Sequence, residues 1–207
     1  MGGFFAALIL LLPAIPSRRN LRAMKDTYKF NHRIATEADT PAIVGLMQAS
    51  IAENMKGFLT AAEIAAAQET MGLDTTLLED GTYFVIETVK DGETVVVGCG
   101  GWGKRKTLYG GNHTRGRDDS YADPAKDAAR IRAMYTHPDW TRQGIGTLLL
   151  DVGENAAREA GFKTIELGST LPGEPLYRAR GYVEISRETQ TAANGSVNTI
   201  ILMRKPL

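Results

Sequence analysis

Apolar residues recur along the chain with two alternating periods. A period of two residues predicts strands, and a period near 3.6 residues predicts helices. Short ranges rich in β-branched and aromatic residues, bounded by turn-forming residues, predict the strands. These strands cover residues 29–35, 83–89, 94–102, 131–136, 163–168, 183–187 and 197–203.

Helices are predicted between the strands by apolar residues spaced three and four apart. A capping box of Thr60 and Glu63 opens an alanine-rich helix that runs to about Met71, and a short helix covers 174–180 before Gly181. The apolar faces of the two longest helices carry Ile43, Leu46, Met47, Ser50 and Ile51 in the first, and Ile145, Leu148, Leu149, Val152 and Ala156 in the second.

The connections between these elements decide how the strands pair. Asp91-Gly92 and Asn194-Gly195 are two-residue hairpin signals, so the strands on either side of each are antiparallel. The strand–helix–strand unit across 131–168 requires a parallel pair. The fold class is therefore α/β with a mixed central sheet (α+β in its antiparallel parts) flanked by helices. We expect one domain over 29–207.

The first 28 residues lie outside this pattern. Residues 4–12 form a continuous apolar run, which is shorter than the roughly 20 residues that a bilayer span needs. The Arg and Lys residues follow this run, between 18 and 25, whereas a secretory signal carries its positive charges first. Three interpretations stay open: a true start at Met24 with 1–23 as an upstream extension, a weak membrane anchor through 1–23, and export.

The net charge and the composition exclude some classes of binding partner. The chain has 24 Lys and Arg against 24 Asp and Glu, and this net charge of zero argues against a nucleic-acid binder. Cys99 is the only cysteine, and His32, His113 and His137 are far apart, so neither a disulfide nor a metal site is expected. We expect a cytoplasmic protein in a reducing compartment, with a homodimer left open.

The candidate chemistry lies in 138–150, where a strand ends and two glycines open an amphipathic helix. Gly144 and Gly146 allow a tight turn, so N–H groups at the helix start can converge on an anion. Two known phosphate loops do not fit, because Leu149 occupies the third glycine position of the dinucleotide pattern and Thr147 stands where a P-loop needs lysine. The alternative is a tight strand-to-helix connection without a ligand.

Two motifs resemble those of the GNAT N-acetyltransferase superfamily, namely PDWTRQGIGTLLL over 138–150 and LYRARGY over 176–182. The family signature is an Arg/Gln-x-x-Gly-x-Gly/Ala loop after the fourth strand and a later Leu-Tyr-x-x-x-Gly-Phe/Tyr. The predicted order of strands and helices from residue 29 onward fits the same fold. Thr141 departs from the signature, because it stands where the family has Arg or Gln.

The resemblance implies an acyl-CoA N-acyltransferase fold that binds acetyl-CoA as co-substrate, without a metal, in a V-shaped split between the fourth and fifth strands. Tyr177 matches a tyrosine that many members place near the thioester sulfur as general acid, and a core aromatic residue is the alternative. The residues that match the pantetheine and pyrophosphate contacts are Met134, Tyr135, Thr136, Arg142, Gln143, Gly144, Ile145, Gly146 and Thr147.

No motif fixes the base that deprotonates the amine. Glu166 is the best candidate because its strand borders the expected split, and the alternative is a carboxylate that faces solvent or an ion-pair partner. His137 can reach the mouth of the cleft, but a loop-end histidine without a partner also suits a structural role. Cys99 suits a buried strand cysteine better than a nucleophile.

The segment 104–127 is a long polar connection that mixes Lys and Arg with Asp. One interpretation is a substrate lid with Trp102 and Tyr109 as apolar contacts. The other is a solvated charged face.

The resemblance implies transfer of an acetyl group from acetyl-CoA to a primary amine of a small molecule or peptide, by direct attack in a ternary complex. Backbone N–H groups of the fourth strand would stabilise the oxyanion, and Tyr177 would protonate the leaving thiolate. The alternatives are a GNAT-like module that binds acyl-CoA without turnover, and a membrane-tethered interaction protein that depends on 1–23.

Overall fold

A computed structural model describes residues 29–114, 116–191 and 195–207. The predictions for residues 1–28 and for Asn194 in the last turn lie outside the described residues. Among the described residues, no helix is long and apolar enough to cross a membrane.

The described strands are β1 (Asn31–Ile34), β2 (Tyr83–Lys90), β3 (Glu93–Gly103), β4 (Ala129–Thr136), β5 (Thr164–Ser169), β6 (Val183–Thr191) and β7 (Val197–Pro206). They form one mixed sheet with the order β1-β2-β3-β4-β5-β7-β6. Neighbouring strands in the described sheet are antiparallel, except for β4 and β5, which are parallel. The α/β mixed-sheet prediction and the parallel unit across 131–168 are therefore confirmed.

Helices cover both faces of the sheet. The helices are α1 (Thr40–Asn54), α2 (Ala61–Thr70), α3 (Thr75–Glu79), α4 (Ile145–Glu159) and α5 (Glu174–Ala179). Thr60 and Glu63 form the predicted capping box at the start of α2. The five-residue α3 was not predicted, since one and a half turns are too short to show a hydrophobic period.

The predicted apolar face of α1 is confirmed, because its buried residues are the five that the pattern singles out. The predicted apolar face of α4 is confirmed for Ile145 and Leu149, which are buried, but the centre of the buried face is rotated about the helix axis. Leu148, Val152 and Ala156 are only half-buried, and the face toward the sheet is centred on Leu149, Gly153 and Ala157. Gly153 explains the rotation, because a Cβ there would lie 3.1 Å from Ile131 Cδ1, so the helix approaches the sheet through its smallest residue.

The two parallel strands pair over only a short length. Their register joins Ala129 to Ile165 and Arg130 to Glu166, and no further pair is formed between them in the described sheet. Beyond Arg130 the two strands diverge toward their carboxyl ends. An opening therefore exists between two central strands, at their carboxyl ends. Ligands of α/β proteins bind at the carboxyl ends of the strands.

Candidate functional site

A cavity of about 360 Å³ occupies the opening between β4 and β5. Its walls come from β4, β5, β7, the end of α2, α5 and the segment that follows β3. The lining includes Tyr109, His113, Arg132, Met134, Tyr135, Leu167, Tyr177 and Asn198. The cavity volume suits a small molecule or the reactive end of a larger one.

A β-bulge in β4 shapes one wall. Gly101 pairs with Arg132 and Cys99 with Tyr135, so two residues of β4 lie opposite the single Gly100. A Cβ on Gly100 would lie 3.1 Å from Met134 Cα, which is why the opposing strand carries glycine here.

A side-chain hydrogen bond from β2 holds the bulge in place. Ala133 adopts a positive φ of 49°, and the Tyr83 hydroxyl donates a 2.9 Å hydrogen bond to the Ala133 carbonyl. Since β4 has no strand partner on its β5 side beyond Arg130 among the described residues, its backbone there can pair with an extended ligand.

The start of α4 forms the next part of the site. Gly144 has φ +94°, a left-handed conformation that only glycine adopts without strain, and it precedes the helix directly. The first intrahelical bond runs from the Leu148 amide to the Gly144 carbonyl at 2.9 Å. The amides of the first turn therefore have no acceptor within the helix, and with the helix dipole they favour an anion.

The side chains of Thr141 and Gln143 are hydrogen-bonded to the short turn that precedes this helix start. The Thr141 hydroxyl donates to the Pro138 carbonyl at 3.2 Å, and the Gln143 amide donates to the Asp139 carbonyl at 3.4 Å. Arg142 is exposed with φ +61°. An anion here would be held by backbone amides, with Arg142 the nearest cation in sequence.

Tyr177 connects α5 to the cavity. Its ring packs edge-on against Tyr182 with centroids 5.8 Å apart, and its hydroxyl donates to Met134 Sδ at 3.9 Å. Burial raises the pKa of the Tyr177 phenol to about 12, so the group is protonated at neutral pH. Tyr177 thus packs as an aromatic residue and also presents a protonated hydroxyl to the cavity beside the β4 bulge.

Several predicted cofactor residues come together at this point. Met134 and Tyr135 line the cavity, and Gly146 packs against Leu176, the neighbour of Tyr177, where an added Cβ would lie 2.8 Å from Leu176 Cδ2. Thr136 lies past the cavity wall, and its carbonyl accepts a 2.8 Å hydrogen bond from Asn54.

Glu166 does not fit the role of general base, which corrects the prediction. Its side chain is 9% exposed, and its carboxylate accepts a 2.7 Å bond from Arg130 and a second contact from Arg204. It lies at the closed end of the split, where β4 and β5 still pair, and outside the cavity lining. The Glu166 carboxylate joins β4, β5 and β7 through its ion pairs, which matches the alternative of a carboxylate that faces an ion-pair partner.

Two other sequence candidates have structural roles. The Asp139 amide donates to His137 Nδ1 at 3.3 Å, so the histidine caps the short turn at Pro138–Trp140. Cys99 is fully buried in β3, and burial raises the pKa of its thiol to about 12. A thiol that stays protonated is a poor nucleophile.

The segment 104–127 is anchored to the domain by the buried ion pair of Arg117 and by hydrogen bonds to its backbone, which corrects the solvated-face interpretation for Arg117. The interpretation holds for the exposed side chains of Lys106, Asp118, Asp119 and Asp123. Asp74, at the start of α3, has a side chain that is 0% exposed and pairs with Arg132 at 2.6 Å and with Arg117 at 2.9 Å. Arg132 also donates to the carbonyls of Thr107 and Gly110, both at 2.8 Å.

The anchored segment forms a wall of the cavity through Tyr109 and His113. Trp102, in contrast, packs against Phe162 in the core with centroids 5.9 Å apart, so its predicted lid contact is wrong. His113 was not singled out by the sequence for this site. Its Nε2 lies 3.0 Å from the Thr70 carbonyl, to which it donates a hydrogen bond.

The described residues contain no group of three or more His, Cys, Asp or Glu side chains that could hold a metal ion.

Comparisons with known proteins agree with this geometry. The sequence pattern described as the Acetyltransferase (GNAT) family matches residues 49–182. None of the curated proteins compared with the chain matches it.

Solved structures share the fold. A GCN5-related N-acetyltransferase from Rhodopseudomonas palustris is 19% identical with a TM-score of 0.60, covering 86% of this chain and 95% of its own. An N-acetyltransferase from Thermoplasma acidophilum in complex with coenzyme A is 13% identical (TM-score 0.54, coverage 86% and 99%). A Salmonella typhimurium structure with acetyl-CoA is 19% identical (TM-score 0.53, coverage 86% and 94%).

Proposed function

The chain belongs to the acetyltransferase (GNAT) family, and from this premise we propose that it is an acetyl-CoA-dependent N-acetyltransferase acting on a primary amine of a small molecule or peptide. The observation that carries the proposal is the adjacency of three features, two that line the cavity and one, the start of α4, that contacts Leu176 beside it. These are the unpaired edge of β4, the amide-rich start of α4 and the protonated hydroxyl of Tyr177. The amine attacks directly, in a ternary complex.

The residues present fit acetyl-CoA as co-substrate. The free edge of β4 at Met134 and Tyr135 suits an extended pantetheine arm, which would pair with it as a further strand does. The first-turn amides of α4, with Arg142, suit the pyrophosphate. Acetyl-CoA supplies the activated acetyl group as a thioester.

The chain's own groups then have distinct tasks in transfer. Backbone N–H groups of β4 beyond the bulge stabilise negative charge on the acetyl carbonyl oxygen as it develops. Tyr177 donates its proton to the departing sulfur, and its protonated state at neutral pH supports this role. The nitrogen loses one proton once the C–N bond has formed, and this proton restores the Tyr177 phenol. The bulge fixes both features relative to each other through the contact between Met134 and Tyr177.

Thr141 favours a second candidate, a GNAT-like module that binds acyl-CoA without turnover. Its hydroxyl is bonded to the Pro138 carbonyl and leaves the signature position without a long polar side chain. The two candidates share the acyl-CoA site and differ in amine-dependent thiol release.

Gly144→Glu tests the shared site. Glutamate adds a negative charge beside the first-turn amides, and we expect the Kd for acetyl-CoA to rise at least about tenfold, or ~1.4 kcal/mol. Isothermal titration calorimetry of the full chain measures the change.

Gly92→Glu is the matched control. Gly92 has φ +84°, an added Cβ there meets nothing within 4 Å, as at Gly144, and it lies in the β2–β3 turn. It carries the same backbone strain and the same charge. An equal loss of affinity in both variants would contradict the assignment of α4 as the anion site.

A further inference from the structure

The cavity walls carry no acidic side chain among the described residues. Apolar side chains predominate, and the polar ones are threonines, tyrosines, one asparagine, one histidine and one arginine. An ammonium group that enters such a cavity loses hydration without gaining a carboxylate partner. Burial of this kind also favours the neutral amine, which is the form that attacks a thioester.

The arginine of the lining does not offer a free positive charge. Arg132 is 3% exposed and its guanidinium is bonded to Asp74 and to the carbonyls of Thr107 and Gly110. A carboxylate on the acceptor would therefore find this cation already paired. The walls suit a ligand whose body carries no charge of either sign.

One side-chain atom in the lining lacks a partner. Asn198 Oδ1 on β7 is buried and accepts no hydrogen bond within the described part of the chain. A buried amide oxygen without a donor costs free energy, and a ligand N–H that reaches it removes that cost. Asn198 lines the cavity from β7, the strand that pairs with β5.

We propose that the acceptor is a primary monoamine on an apolar body, whose N–H donates to Asn198 Oδ1, and that the cavity rejects amines with a second ammonium group. This inference rests on the proposed function and adds the class of acceptor to it. Rejection follows from the missing carboxylate, since a second ammonium buried in these walls has no counter-charge. A compact amine is also the size that the cavity accommodates.

Hexylamine and 1,6-diaminohexane form a matched pair that differs by one ammonium group. With the full chain and acetyl-CoA, we expect kcat/KM for hexylamine, read as thiol release, to exceed that for the diamine by at least about tenfold. Asn198→Asp places a carboxylate in the wall and should shift the ratio toward the diamine by about tenfold. Asn155→Asp, on the exposed face of α4, adds the same charge outside the lining and should leave the ratio unchanged.

A wild-type preference for the diamine, or a ratio that Asn198→Asp does not move, would overturn the inference. Thiol release from acetyl-CoA that occurs with other amines, but with neither hexylamine nor 1,6-diaminohexane, would overturn the inference as well.

Calorimetry with each amine on the full chain separates this result from failure of the proposed function. If acetyl-CoA does not bind, the proposed function fails. In that case, tighter binding of hexylamine than of the diamine still supports a cavity that prefers amines with a single ammonium group. Tighter binding of the diamine overturns this inference.

Discussion

We expect Tyr177→Phe to lower kcat for amine-dependent thiol release by about 100- to 10,000-fold, the range typical of a lost general acid. Burial holds the pKa of Tyr177 near 12, so the wild-type phenol keeps its proton throughout the neutral and mildly alkaline range. Activity that depends on this proton is present below that pKa and is lost as pH rises through it. The wild-type pH profile should therefore show no falling limb from Tyr177 at neutral pH.

Binding and stability serve as the internal control for this variant. The hydroxyl makes one long contact, to Met134 Sδ at 3.9 Å, so its removal should change the free energy of unfolding by no more than about 1 kcal/mol. The Kd for acetyl-CoA should change little, because the ring stays in place against Tyr182. An unchanged kcat in the folded variant would show that Tyr177 is only a packing residue.

Asp74→Asn should lower the free energy of unfolding by about 3–5 kcal/mol, the usual cost of removing one partner from a buried ion pair. The variant leaves Arg132, 3% exposed, and Arg117, 9% exposed, without their shared carboxylate. Asparagine keeps an oxygen for the Thr76 amide at the start of α3, so the loss reports the charge pair rather than the helix cap. Urea unfolding followed by circular dichroism measures the change.

Glu53→Gln is the control for Asp74→Asn. Glu53 pairs with Lys56 on the surface, with side chains 52% and 62% exposed, and its loss should stay within about 0.5 kcal/mol. Since Asp74 anchors the segment that carries Tyr109 and His113 into the cavity wall, its variant should also lose amine-dependent activity. A stability loss below about 1 kcal/mol in Asp74→Asn would contradict the anchoring role.

Local patterns predict most of the fold. The period of α1 identifies its five buried residues, and Asp91-Gly92 fixes the β2–β3 hairpin with both residues at positive φ. The strand–helix–strand unit fixes the one parallel pair observed in the described sheet, and the glycines that open α4 mark the candidate anion site. These features depend on neighbours in sequence, so the sequence alone displays them.

The features that the sequence does not predict depend on partners far along the chain. Glu166 meets Arg204 only because β5 and β7 are adjacent, and Asp74 meets Arg132 across 58 positions. A charged residue in a sequence does not reveal its partner, so Glu166 resembled a base and Arg117 resembled a solvated charge. The rotation of α4 likewise follows from its contact with the sheet at Gly153.

The most direct test of the enzyme assignment is the time course of thiol release from acetyl-CoA by the full chain, with and without a panel of primary amines that includes hexylamine. We predict release that requires an amine, saturates with acetyl-CoA and yields the acetylated amine by mass spectrometry. Binding of acetyl-CoA with no amine-dependent release would contradict this assignment and leave the binding module in its place.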